Sequence, residues 1–374
     1  MTAILRVGPD PGYLSNKRMA LEVAIGLAHL SGRRLALPVD EPIGWGPRPA
    51  LTGDAAGRPS SLVDLYELPV PVLDAAAFAA EAPGPTRVVD WPDCHTVVVT
   101  DARGAGQDDG DRAAFAHGRP VVSFDPAWAE DPVLEVPGRT LGYYSYVFFL
   151  DPERRRALFA LLEGVRLRAP YRDLGAALSE GLGAYNAAHI RRTDHLIGVP
   201  DYRRVMPWEV RDNLAAVFPA DQRLVVCTEA DPASGFFTPL LEHFTDVVFL
   251  NQHILDDGPV AERFAALPCH DDSALAAVSQ EVAIRAEGFA GTFSSTFTGM
   301  IHRERCLRAA DASFLFTADF LGGSCRFEAG EYLPVREGRY SWNRLGYPVS
   351  ADVHAWMREW PEVRPETEAR CDEG

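Results

Sequence analysis

The chain has 374 residues, a length that fits about two domains at roughly 100–200 residues each. Hydrophobic residues make up 47% and charged residues 24%, the balance of a globular protein whose core is large enough to need neither disulfide nor metal. The net charge of −17 disfavours nucleic acid or an anionic membrane as the main partner, while a local arginine cluster still overrides the mean field at short range.

The opening alternates strand and helix. "AILRVG" (3–8) predicts a strand and "PDPGYLSN" a turn-rich loop. Leu21, Ala24, Ile25 and Ala28 recur at helical spacing in a helix over 17–32, which Gly32 stops. "RRLALP" (33–38) is then a short buried strand, so the order is a βαβ unit. Residues 39–95 are rich in Pro, Gly and Asp and predict loops with short helices such as "SSLVDLYEL". "TVVVTD" (96–101) and "PVVSF" are further strands, and "PERRRALFALLEGVRL" (152–167) is an amphipathic helix. The aromatics of "YYSYVFFL" (143–150) read as strand core or packing between domains. A border falls around 165–180, which gives two domains, 1–170 and 171–374.

The second half repeats the alternation. Strands are expected at 186–190, 223–229, 246–250, 288–292 and 313–317, with helices at 171–184, 207–218, 274–286 and 295–310. Strands that are apolar throughout, with helices between them, indicate parallel sheets covered on both faces. The fold class is therefore α/β, two doubly wound domains facing a cleft. Residues 360–374 are rich in Glu and Pro and are expected to fray.

None of the six cysteines pairs in a CxxC or zinc-site spacing. They read as reduced thiols, and with no signal-peptide pattern and no long apolar stretch the expected location is cytoplasmic, off the membrane. "PCHDD" (268–272) has metal-ligand residue types, but consecutive in a loop and in none of the usual frames. P-loop, nucleophile-elbow and GxGxxG patterns are lacking.

In open parallel sheets, ligands bind beyond the carboxyl ends of the strands. Polar clusters stand there: "HIRRTD", "VVCTEAD", "FLNQH" and "GTFSST", with "RVGPDPGYLSN" in the first half. In "GTFSSTF", Ser294, Ser295 and Thr296 sit at a helix start, where hydroxyls and backbone N–H groups hold a phosphate; the plainer alternative is an ordinary Ser/Thr N-cap. Arg191 and Arg192 have a plain reading too, as solvated or surface-paired cations. Against it stands the fit of guanidinium to phosphate. A two-phosphate leaving group would use both clusters.

Together these motifs resemble the GDP-fucose O-fucosyltransferase superfamily, which includes α-1,6-fucosyltransferases. The resemblance spans roughly residues 4–310. It rests on "GYLSNKRMALEVAIGLAHLSGRRLALP", on "HIRRTD" as the family's HxRRxD segment, on "VVCTEADP" and on "GFAGTFSSTF". It implies a GT-B-type architecture of two Rossmann-like domains and an inverting, metal-independent transfer with no cofactor. The donor implied is GDP-fucose, and the acceptor a small molecule, glycan or peptide. Arg191 then contacts the donor diphosphate. Asn16, His189, Arg192, Asp194, Glu229, Ser294, Ser295 and Thr296 match donor-binding positions. Asp10 in the opening loop is a candidate general base, with a surface turn residue as the alternative. The chain departs from the pattern at Lys17, at Glu229, and at Ser279, where an aspartate usually stands, with Gln280 and Glu281 beside it. Those departures leave open a transferase of the same fold using a dTDP or UDP sugar. A non-catalytic glycan- or peptide-binding relative is the other alternative.

Overall fold

The computed structural model describes residues 3–8, 12–37, 43, 59–82, 84–88, 97–100, 121–123, 130–136, 146–149, 157–158, 160–192, 206–292, 295–307, 312–318 and 324–328. The chain divides into two compact units, Met1–Gly44 with Ser61–Leu167 and Asn343–Gly374, and Trp45–Ser60 with Arg168–Trp342. The main changeover falls at Leu167 to Arg168. Residues 45–60 belong to the second unit. Ser60 explains this locally. Its backbone N and Oγ each donate to the buried Asp271 carboxylate at 2.6 Å.

The first unit is built on β1 (Ile4–Val7), α1 (Leu14–Ser31), β2 (Arg34–Ala36), α2 (Leu62–Leu65), β3 (Tyr66–Glu67), β4 (Val72–Leu73), α3 (Ala75–Glu81), β5 (Thr86–Val88), β6 (Val97–Thr100), β7 (Val121–Ser123), β8 (Val133–Val136), β9 (Tyr146–Phe149) and β10 (Arg166–Leu167). Its main sheet runs β4-β2-β1-β8-β5, all parallel. A second parallel sheet runs β7-β6-β9, and β10 pairs antiparallel with β3. The βαβ opening is present, with α1 three residues earlier than its apolar spacing predicts. Gly32 ends it in the left-handed conformation (φ 65°), its N–H turned onto the Ala28 and His29 carbonyls. Helix α1 is buried nearly all round, so Arg18 and Glu22 pair inside it at 2.8 Å, and the Arg18 guanidinium also donates to the Val165 carbonyl at 2.6 Å. The predicted helix over 152–167 is cut short. Residues 157–158 and 160–162 are helical, the chain turns at Glu163 and Gly164, and Arg166–Leu167 is strand.

The second unit follows with α4 (Ala169–Leu182), β11 (Asn186–His189), α5 (Pro207–Ala215), β12 (Leu224–Cys227), α6 (Thr238–His243), β13 (Val247–Phe249), α7 (Leu250–Asp256), α8 (Gly258–Ala265), α9 (Asp272–Arg285), β14 (Gly288–Thr292), α10 (Thr296–Leu307), β15 (Ala312–Ala318) and β16 (Ser324–Glu328). Its sheet runs β13-β12-β11-β14-β15-β16, parallel except for the last strand. Every residue of β11 and β12 is buried, as expected of strands covered on both faces. On one face Ala188, Leu224, Val226 and Ala290 pack with Leu214, Phe218, Leu240 and Phe244 from the α5 and α6 region. Alternation turns Ala187, Val225 and Phe289 to the opposite face. Both units are thus α/β with parallel sheets. The helices α6 to α8 and the antiparallel β16 are additions to the sequence reading. No helix among the described residues is long and apolar enough to cross a membrane.

Candidate functional site

The strand order places a topological switch point between β11 and β14. Chain connections leave β11 toward β12 and β13 on one side, and β14 toward β15 on the other. At such a point the loops beyond adjacent parallel strands diverge and leave a crevice at their carboxyl ends. His189 is the last residue of β11, and Arg191 and Arg192 follow it directly. Thr292 ends β14, and Ser295 and Thr296 lead into α10. Two of the clusters singled out in the sequence therefore stand side by side.

Hydrogen bonds tie them together. Thr292 Oγ1 donates to the His189 carbonyl at 3.2 Å and accepts from the Arg191 backbone N at 3.1 Å. His189 Nδ1 lies 2.7 Å from Thr298 Oγ1, and its ring sits 4.5 Å from that of Phe297. His189 is buried, and these contacts fix the first turn of α10 against the end of β11. Gly291 makes this close approach possible: a Cβ there would lie 2.5 Å from Thr298 Cγ2, inside any tolerable contact. The far end of α10 is pinned as well. Arg305 is fully buried and donates to the carbonyls of Ile284, Ala286 and Glu287, satisfying the C-terminal end of α9 with a cation. Held at both ends, α10 keeps its N-terminal turn, with the N–H groups that a helix start leaves without intrahelical acceptors, beside the arginine segment.

The arginines are individually oriented. Glu229, just beyond β12, accepts from the Arg192 backbone N at 2.7 Å through Oε1, and the same oxygen lies 3.7 Å from Arg191 Nε. The Arg192 guanidinium stacks over the Phe236 ring at 3.7 Å. Burial pushes the Arg192 pKa down and Glu229 partly restores it. Arg192 is thus braced by an aromatic face and a carboxylate, whereas the Arg191 side chain lies by Glu229 and keeps about 20% exposure. Beneath this layer, Thr228 Oγ1 donates to the Ile190 carbonyl, Asn251 Nδ2 to the Thr228 carbonyl, and Ser279 Oγ to Asn251 Oδ1. Gln280 Nε2 donates to the Phe297 carbonyl at 3.4 Å, and the buried Glu281 pairs with Arg285.

Of the residues expected at the site, His189, Arg191, Arg192, Glu229, Ser295 and Thr296 are brought to one end of the second unit's sheet. Asp10, Asp194 and Ser294 lie outside the described residues. Asn16 lies in the first turn of α1 in the other unit; its Oδ1 is buried with no hydrogen-bond partner among the described residues. Thr292, Thr298 and Phe236 were missed as site residues. The close-packing glycine of "GFAGT" is a signal for Thr298, but nothing local marks Phe236 as the brace of Arg192. The "PCHDD" segment does different work: Asp271 caps α9 through Ala274 N at 2.9 Å and holds Ser60. Among the described residues no group of three or more His, Cys, Asp or Glu side chains is placed to hold a metal ion.

No family model and no curated protein matches the chain. Solved structures do show a likeness. POFUT1 in complex with GDP is 11% identical over 84% of this chain and 98% of its own, with a TM-score of 0.44. NodZ α-1,6-fucosyltransferase co-crystallized with GDP is 14% identical over 88% and 99%, with a TM-score of 0.48. The fucosyltransferase NodZ from Bradyrhizobium is 13% identical over 88% and 100%, with a TM-score of 0.44. At such identities and scores the likeness assigns neither donor nor acceptor to this chain.

Proposed function

We propose that the chain is a glycosyltransferase whose second unit holds the diphosphate of a nucleotide sugar, with the first unit on the acceptor side in a GT-B-type arrangement. One observation carries the reading: Arg191 stands at the carboxyl end of β11, at the switch point, tied through Thr292 to the strand that leads into α10. An arginine and a helix N-terminus that follow adjacent parallel strands are two independent reasons for a phosphate to settle there. Donor-binding roles for Asn16, His189, Asp194, Ser294, Ser295 and Thr296 belong to the same proposal.

The chemistry follows. An acceptor hydroxyl oxygen attacks the anomeric carbon from the face opposite the diphosphate, giving inversion. The bond from that carbon to the β-phosphate oxygen breaks, and its electron pair leaves as negative charge on the phosphate. Arg191 and the α10 N–H groups meet that charge as it develops, in the role a metal ion takes elsewhere. The hydroxyl proton passes to a base, for which Asp10 is the candidate. The donor proposed is GDP-fucose, on the motif resemblance.

A second reading has a specific observation behind it. Ser279, where the resembled family carries an aspartate, spends its hydroxyl on Asn251, and Glu281 beside it is buried and paired with Arg285. Neither offers a carboxylate to a guanine edge, which favours another nucleotide base. Thermal melts with GDP, UDP and dTDP at equal concentration separate the two, since only a binding nucleotide raises the midpoint. GDP is expected to give the largest rise. A larger rise with UDP or dTDP moves the donor assignment, and no rise with any of them sinks the nucleotide-sugar reading. Activity on an acceptor, followed by the mass gained, is expected to survive excess EDTA; loss with EDTA and rescue by magnesium or manganese would contradict the metal-free mechanism.

A further inference from the structure

The position of Glu229 raises a difficulty for a diphosphate site. A carboxylate lies 3.7 Å from the guanidinium that is to hold the phosphate, and like charges at one cation compete. Its partners resolve the difficulty. Glu229 sits directly after β12, on the strand adjacent to β11, so it reaches across to the arginine segment from a fixed base. One oxygen, Oε1, both accepts from the Arg192 backbone N at 2.7 Å and faces Arg191 Nε. The first contact fixes where the chain runs after the strand; the second supplies a counter-ion to Arg191.

We propose that Glu229 is a positioning residue for the arginine pair, a resident anion that orients Arg191 through charge until a ligand phosphate replaces it. The inference rests on the diphosphate reading above and changes the role of this carboxylate. It does not touch the donor; it holds Arg191 in place before binding and yields it on binding. The two contacts are separable by substitution. Glutamine keeps a side-chain oxygen to accept from Arg192 N but removes the competing charge. Alanine removes both.

The test titrates wild type, Glu229→Gln and Glu229→Ala with GDP and with inorganic pyrophosphate by calorimetry at low ionic strength. Because the pair is partly exposed, the competing contact is small, and Glu229→Gln is expected to bind both anions about 2- to 5-fold more tightly, with a steeper loss on adding salt. Glu229→Ala is expected to bind both more weakly than Glu229→Gln, because the segment loses its tether. Pyrophosphate separates this role from ribose or base recognition, which would move GDP alone. If wild type binds GDP and Glu229→Gln binds pyrophosphate no more tightly than wild type, the placeholder role is overturned and the donor-site reading stands. If GDP fails to bind while Glu229→Gln still gains affinity for pyrophosphate, the placeholder stands and the nucleotide reading falls. If neither anion binds any of the three proteins, both fall.

Discussion

Replacing Arg191 by alanine separates a surface decoration from a diphosphate holder. In the structure its guanidinium lies 3.7 Å from the Glu229 carboxylate, and the two side chains are 20% and 23% exposed. Discounted for solvent screening, that contact stabilises the fold by about 0.2–1 kcal/mol. The backbone bond from Arg191 N to Thr292 survives the substitution, so the segment keeps its course. Arg191→Ala is therefore expected to stay folded, with a midpoint lowered by no more than about 4 °C. Function is expected to respond far more. A charge-assisted bond to phosphate is worth about 1.5–3 kcal/mol, or roughly 10- to 150-fold in affinity for the nucleoside diphosphate. Turnover is expected to fall by about 10²–10³, since the contact strengthens as the diphosphate departs. Arg191→Lys is expected to recover part of the loss, keeping the charge without the two-pronged geometry. Calorimetric titration with GDP, single-turnover assays and thermal melts on the three proteins make the measurement. A folded Arg191→Ala with near-normal affinity and turnover would refute the reasoning.

Thr298→Val removes the partner of His189 inside a buried contact, and is expected to cost about 1–3 kcal/mol by denaturant melts and to weaken GDP binding; unchanged binding would show that this bond does not position α10. Gly291→Ala puts a Cβ into the Thr298 side chain, so a loss of about 1–3 kcal/mol is expected, and a neutral result would mean that α10 shifts without cost. Burial pushes the Cys227 thiol and the Tyr185 hydroxyl up to about 12 each. A raised folded value means full stabilisation below the unfolded pKa and loss above it, so stability is expected to fall as pH rises from about 9 toward 12. Cys227→Ala is expected to flatten that slope in alkaline denaturation curves, and an unchanged slope would contradict the assignment.

Much of the second unit's core was legible from its residues. β11, β12 and β14 announce themselves as apolar runs because both faces of a parallel sheet are covered, and α10 is marked by the Ser/Thr start that follows β14. Helices α6 to α8 were not legible. They span six to eight residues, too few turns for an apolar face to repeat, and α6 and α8 carry a proline in the first turn that reads equally as a loop signal. The arginine pair stood out by composition alone, but its wiring did not. That Glu229 holds Arg192 N, and that Phe236 lies under the Arg192 guanidinium, follows from strand adjacency and from the loop after β12, which no local pattern encodes. The same holds for Ser60, which reads as the start of a short helix while its hydrogen bonds reach Asp271.

Hydrogen exchange with and without GDP tests most directly whether a diphosphate settles at the switch point. Added GDP is expected to slow exchange in the peptides covering Arg191 and Arg192 and the first turn of α10, Thr296 to Thr298, while the β13 edge, Val247 to Phe249, exchanges as before. Binding accompanied by protection elsewhere, with these two segments unchanged, would contradict the account.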